Sequence, residues 1–138
     1  MNTQNNHFSK KAFFVVLGLF SLITFSSFLF QEVWKAPASA DSKKNALTSD
    51  AGTLAAGKAV YVKECLSCHG KSGKGDGQSA AQLDKPAGNF TTAATQSQSD
   101  GALYWKISEG KKPMPSFKKK LNETQIWQSV GYMRTFKK

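Results

Sequence analysis

The two cysteines of this 138-residue chain stand three apart, and a histidine follows the second directly: Cys65-Leu66-Ser67-Cys68-His69. Two thiols at that spacing can each add to one vinyl group of a haem. The adjacent imidazole then lies under the porphyrin and can bind the iron. Five residues thus supply two covalent anchors and one axial ligand, the Cys-x-x-Cys-His pattern of c-type haem attachment. A structural zinc site needs four ligands, and only Cys65, Cys68 and His69 are close in sequence; the other histidine, His7, precedes a long apolar run. An iron–sulfur cluster asks for four cysteines. A redox dithiol, with a thiol pKa lowered by this spacing, expects a βαβ setting, and no strong strand pattern surrounds these residues. A plain disulfide leaves His69 unexplained. Haem attachment is the reading that uses all three side chains; the dithiol and the disulfide stand as alternatives.

A second stretch carries the complementary chemistry: Lys111-Lys112-Pro113-Met114-Pro115-Ser116-Phe117. Two prolines hold Met114 in an extended, non-helical backbone. Its thioether sulfur is soft and neutral, favours reduced iron, and in a Met/His pair raises haem potential. Met114 is therefore the expected second axial ligand. Met133 is the other candidate, inside an amphipathic helical stretch. Two strong axial ligands leave no open iron position for a substrate, and nothing in the chain looks like a catalytic acid and base pair. One-electron transfer is the expected work, and the protein is not expected to be an enzyme.

The elements that must position these residues follow from periodicity and caps. A helix is predicted from near Asp50 or Thr53, either able to cap it, to about Cys65. Leu54, Ala55, Tyr61 and Val62 give its apolar spacing, and Gly57 lies four residues before Tyr61. A glycine inside a helix costs about 1 kcal/mol relative to alanine, which close helix–helix approach at Gly57 would account for. Residues 70–100 hold little regular structure. Gly70, Gly73, Gly75 and Gly77 form a loop, without the preceding strand or the Gly-Lys-Ser/Thr ending of a phosphate cradle. Ser79–Leu83 reads as a short helix, and residues 91–100 as polar and turn-like. The Nδ1 of a haem histidine needs an acceptor to fix its tautomer, and a carbonyl near Lys85 or Pro86 is the candidate. A second helix is predicted over Asp100–Glu109, capped by Ser99 or Asp100 and stopped by Gly110. A third begins at Asn122 with Gln125 three residues on, a capping-box pattern. Ile126, Trp127, Val130, Tyr132, Met133 and Phe136 supply its buried side.

The amino-terminal third has another character. Residues 1–11 are polar, end in Lys10-Lys11 and are expected to be a cytoplasmic tail. Residues 12–30 are uncharged and apolar. As a helix they would span roughly 28 Å, close to the hydrocarbon thickness of a bilayer. They are read as a signal anchor or signal-peptide helix, with the lysines on the cytoplasmic side and everything after them exported. Ala38-Ser39-Ala40 has the small-residue form of a processing site. The length of the run, its distance from Ala40, and Trp34-Lys35 as an interfacial anchor favour retention in the membrane. Residues 31–50 read as a flexible linker, and 51–138 as the folded domain.

The net charge is +10, of which residues 41–138 carry +8. So basic a domain raises nucleic-acid binding, but the chain holds a single arginine, Arg134, and no arginine cluster. Lys111, Lys112, Lys118, Lys119 and Lys120 bracket Met114 and are expected to ring an exposed haem edge. Such a patch would steer an acidic redox protein into place.

Taken in order, the markers Gly57-x-x-x-Tyr61-x-x-x-Cys65-x-x-Cys68-His69-Gly70, Leu103-Tyr104-Trp105-Lys106-Ile107-x-x-Gly110, Met114-Pro115-x-Phe117 and Trp127-x-x-Val130-x-Tyr132-x-Arg134 resemble a class I c-type cytochrome of the small bacterial monohaem type. The resemblance covers residues 52–137. It implies an all-α cytochrome c fold wrapped around one covalent haem c, with the first and last helices crossing where Gly57 and Tyr61 meet the region of Tyr132. It implies Cys65 and Cys68 as thioether anchors and His69 and Met114 as axial ligands. The expected function is one-electron transfer between redox proteins on the outer, periplasmic side of the cytoplasmic membrane. The domain would be anchored there through residues 12–30, or soluble after cleavage near Ala40. The rival readings are a haem subunit docked permanently in a larger respiratory or dehydrogenase complex, and a ligand-binding or peroxidase-like haem protein.

Overall fold

The computed structural model describes residues 34–138. The expected cytoplasmic tail (1–11) and membrane helix (12–30) lie outside the described residues. Among the described residues no helix is long and apolar enough to cross a membrane.

Helices and loops make up the described chain, with no strand beyond one isolated bridge between Lys111 and Met114. In order the helices are α1 (Ala38–Asp41), α2 (Ala51–Glu64), α3 (Leu66–His69), α4 (Ala93–Gln96), α5 (Asp100–Glu109) and α6 (Glu123–Arg134), with a 3-10 turn at Ala80–Gln82. The three long helices begin where their caps predict. Asp50 accepts from the Thr53 N–H at 2.7 Å and Ser99 from the Ala102 N–H at 3.0 Å. Asn122 and Gln125 form a reciprocal capping box. Each cap satisfies a backbone donor that the first helical turn leaves without an internal partner.

Helices α2 and α6 cross at Gly57, and the reason is steric. A Cβ on Gly57 would lie 2.1 Å from the backbone oxygen of Gln128 and 3.0 Å from Cβ of Tyr132. Only a residue without a side chain permits that approach. One turn later Tyr61, fully buried, packs its ring 5.2 Å from Tyr132 and 5.3 Å from Phe136. The core continues through Phe90, Leu103, Ile107, Phe117, Ile126, Trp127, Val130 and Met133. Val62, expected on the apolar stripe of α2, is instead 52% exposed. It lies next to Tyr61 in sequence, so the turn of the helix carries it off the buried face.

Arg134 ties the end of α6 to the start of α5. Its guanidinium donates to Asp100 Oδ1 (2.8 Å from Nε), to the Gln96 carbonyl (3.0 Å) and to the Gln98 carbonyl (2.6 Å). This fork holds the 96–100 segment, and Thr92 caps α4 just before it. Residues 91–100, expected as turns, thus contain one short helix.

The expectation of a free linker over 31–50 needs correction for most of its length. Residues 37–47 form a strap laid on α5 and α6. Ala40 is buried, and a Cβ on Gly101 would lie 1.9 Å from its carbonyl oxygen. Asp41 accepts from the Ser99 hydroxyl at 2.5 Å. Lys43 pairs with Glu123 at 2.9 Å and sits 3.8 Å over the Tyr104 ring. Asn45 donates to the Trp127 carbonyl at 3.4 Å, and Leu47 packs on the core. The polar composition that suggested a solvated tether is used for specific contacts instead.

Candidate functional site

Cys65 closes α2, and the chain turns at once into the single turn of α3, which carries Cys68 and His69. The His69 N–H donates to the Cys65 carbonyl at 2.9 Å, so the motif is one helical turn with all three side chains on a short arc. Both cysteines are free thiols, half-buried. Burial pushes the Cys65 thiol up to about 12, with the neighbouring Glu64 carboxylate adding to the rise.

The loop after His69 folds back over this turn. The N–H groups of Gly75, Gly77 and Ser79 donate to the carbonyls of His69 (2.8 Å), Cys68 (3.1 Å) and Ser67 (2.8 Å). The glycine-rich stretch therefore caps the end of the attachment helix. The buried Tyr61 hydroxyl donates to the Gly70 carbonyl at 2.7 Å and fixes the loop to α2 from beneath.

The His69 ring has one nitrogen committed. Nδ1 lies 3.0 Å from the Gly88 carbonyl oxygen, which can only accept, so Nδ1 carries the proton. Nε2 is then the lone-pair nitrogen. Burial lowers the imidazole pKa, opposed by the Gly88 bond, and keeps the ring neutral, as a metal ligand must be. Phe90 stacks on the ring with centroids 4.3 Å apart and planes 22° apart. The acceptor is thus Gly88 and not the carbonyl at Lys85 or Pro86 that the sequence suggested. The path of this loop is set from a distance, for the Phe90 N–H donates to the Gly73 carbonyl at 2.7 Å.

Met114 closes a tight turn in which its N–H donates to the Lys111 carbonyl at 2.9 Å, across a cis Lys112–Pro113 bond. Its side chain is half-buried against the core. The segment after it is fastened to α5 by Phe117 N–H to the Ile107 carbonyl (3.2 Å) and Lys118 N–H to the Ser108 carbonyl (3.1 Å). Met133 lies in the core, 6% exposed, within α6. Of the two methionines considered, Met114 is the one on a loop.

Four features fit a covalent haem: paired thiols on one turn, an imidazole with Nε2 uncommitted, a carbonyl fixing its tautomer, and a thioether on a separate, anchored loop. Among the described residues no cluster of three or more His, Cys, Asp or Glu side chains could hold a metal ion instead. The two thiols also remain without a disulfide.

Comparison with known proteins agrees. The family described as cytochrome c oxidase, cbb3-type, subunit III matches residues 52–133, more than half of the chain. This chain belongs to that family: it is a class I c-type cytochrome. Among solved structures, the cytochrome is similar to a chain of the Kuenenia stuttgartiensis reducing HAO-like protein complex Kustc0457/Kustc0458, at 31% identity and a TM-score of 0.60, over 70% of this chain and 50% of that one. It therefore spans about half the length of that relative. It is also similar to the KustC0563 c-type cytochrome, at 32% identity and a TM-score of 0.53, over 59% of this chain and 98% of that one. No curated protein sequence is a significant match. The all-α cytochrome fold, covalently bound haem c and electron transfer are what membership in this family means for the chain.

The lysines around Met114 are more differentiated than the sequence suggested. Lys118 pairs with Glu109 at 3.0 Å, and Lys120 pairs with Glu64. Lys112 and Lys119 are exposed. Neither ion pair is legible from residue spacing, because each joins residues from separate elements.

Proposed function

We propose that this cytochrome is a monohaem one-electron carrier. Cys65 and Cys68 would hold a single haem c as thioethers, and His69 through Nε2 and Met114 through its sulfur would ligate the iron. When bound, the group would supply one-electron ferrous/ferric chemistry. The residues fix its ligands, exclude water from the iron and perform no substrate chemistry, so the protein is not an enzyme. The observation that carries this reading is the His69 Nδ1 to Gly88 carbonyl contact at 3.0 Å, which leaves Nε2 as the ligating nitrogen.

The site of action is the outer, periplasmic side of the cytoplasmic membrane, with residues 12–30 as a retained anchor. Redox proteins with acidic docking surfaces are the partners. Lys112 and Lys119 supply steering charge that Lys118 and Lys120, already paired, supply less of. Nucleic acid is not a partner.

The strap favours a docked form of this function over a freely swinging one. With residues 37–47 bound to the domain, about 36 Å of extended chain is taken out of the expected 31–50 linker. A haem domain on a shortened lead serves partners in its own membrane assembly. That a similar chain belongs to a multiprotein complex is consistent with this.

The test is a potentiometric titration of the purified holoprotein with and without carbon monoxide. A single one-electron transition unchanged by carbon monoxide is expected. A transition displaced by carbon monoxide would mean an open iron and overturn the carrier reading in favour of ligand binding or peroxidase-like chemistry.

A further inference from the structure

Glu64 is the last residue of α2 and stands directly before Cys65. Its side chain is only 6% exposed, rare for a carboxylate unless it is paired. The carboxyl end of a helix is also the unfavourable end for a negative charge. The partner that offsets both costs is Lys120, whose Nζ is ion-paired with Oε2 of Glu64. Lys63, 4.0 Å from Oε1, is 81% exposed and adds little.

Lys120 belongs to the segment that leaves Met114. Its N–H donates to the carbonyl of the buried Phe117 at 2.9 Å, and Phe117 is fastened to Ile107. The ion pair thus joins the helix that ends in the haem-attachment residue to the loop that carries Met114. Both charges are felt at the Cys65 sulfur, where after burial the Glu64 carboxylate raises the thiol pKa and the Lys120 ammonium lowers it.

We propose that Glu64 and Lys120 form a compensating charge pair that keeps either charge alone from shifting the redox balance of the haem. The inference rests on the haem c reading above. Oxidation adds one positive charge at the iron. A carboxylate nearby stabilises the oxidised form and an ammonium stabilises the reduced form, and a partly buried pair is screened less than a surface one. Held together, the two charges nearly cancel. Removing either one alone exposes the other to the iron, and the two removals act in opposite directions. Mere loosening of the loop would move both variants the same way.

The experiment compares the full-length holoproteins Glu64→Gln, Lys120→Met, Lys119→Met and the wild type by spectroelectrochemical titration. At a fixed potential, Glu64→Gln is expected to raise the ratio of reduced to oxidised haem about threefold or more, and Lys120→Met to lower it by a similar factor. Lys119→Met removes an exposed lysine of the same loop and should shift the ratio less than Lys120→Met does. A ratio in Glu64→Gln at or below that of the wild type overturns the inference. So does a shift in Lys120→Met no larger than that in Lys119→Met, and this second comparison decides the matter if Glu64→Gln fails to fold. A wild-type protein lacking covalent haem would instead overturn the haem reading, and its absorption spectrum shows this before any titration.

Discussion

Gly57→Ala places the crossing of α2 and α6 under direct test. The added Cβ would meet the Gln128 backbone oxygen at 2.1 Å and its carbonyl carbon at 2.8 Å. An ordinary carbon–oxygen contact is a little over 3 Å, so the two helices must part by roughly 1 Å. The obstacle is backbone in the middle of a helix, which cannot rotate aside. Overpacking of this kind costs about 1–3 kcal/mol, and a backbone clash belongs at the upper end. Alanine returns about 1 kcal/mol of helix propensity, leaving a net loss of about 2 kcal/mol. For a domain of this size that is a fall in Tm of about 8–16 °C. The matched control is Gly131→Ala in α6, where the nearest atom to the new Cβ outside its own helix is Leu54 Cδ2 at 4.0 Å. There propensity acts alone, and Tm should rise by about 4–8 °C. Thermal unfolding of both holoproteins, followed by far-ultraviolet circular dichroism, decides. A Gly57→Ala protein as stable as the wild type would refute the argument that close backbone approach requires this glycine.

Other variants probe separate parts of the structure. Gly101→Ala, whose Cβ would lie 1.9 Å from the Ala40 carbonyl oxygen, should lift the strap and make the Lys43–Lys44 bond several-fold more sensitive to trypsin; unchanged cleavage would argue against a bound strap. Asn122→Ala removes a capping box and should cost about 1 kcal/mol in chemical denaturation. Met133→Ala should cost about 2–5 kcal/mol as a core cavity while leaving the haem spectrum intact. Met114→Ala should do the reverse, lowering the midpoint potential with the fold preserved.

Much of this molecule could be read from local signals. Asp50, Ser99 and Asn122 mark helix starts because a cap is a contact over three residues. The Cys65–His69 motif likewise needs only one turn to bring its groups together. Gly57 was legible because a glycine in a helix interior needs a reason, and the reason was a neighbour. Features that depend on distant partners were not legible. The acceptor for His69 is Gly88 because the loop is pinned to Gly73, a contact no spacing rule contains. The strap looked like a linker because its lysine, asparagine and aspartate side chains find partners on α5 and α6 only after those helices have packed. The burial of Glu64 has no local signal either, because it depends on Lys120 arriving from another loop.

The central claim is a closed haem site whose iron would be ligated by both His69 and Met114. It is tested most directly by the optical spectrum of the purified protein, oxidised and reduced, before and after adding carbon monoxide, with Met114→Ala alongside. A covalent haem spectrum is predicted, with a weak long-wavelength sulfur-to-ferric-iron band that Met114→Ala abolishes and no carbon monoxide shift in the wild type. Absence of that band with rapid carbon monoxide binding would contradict the account.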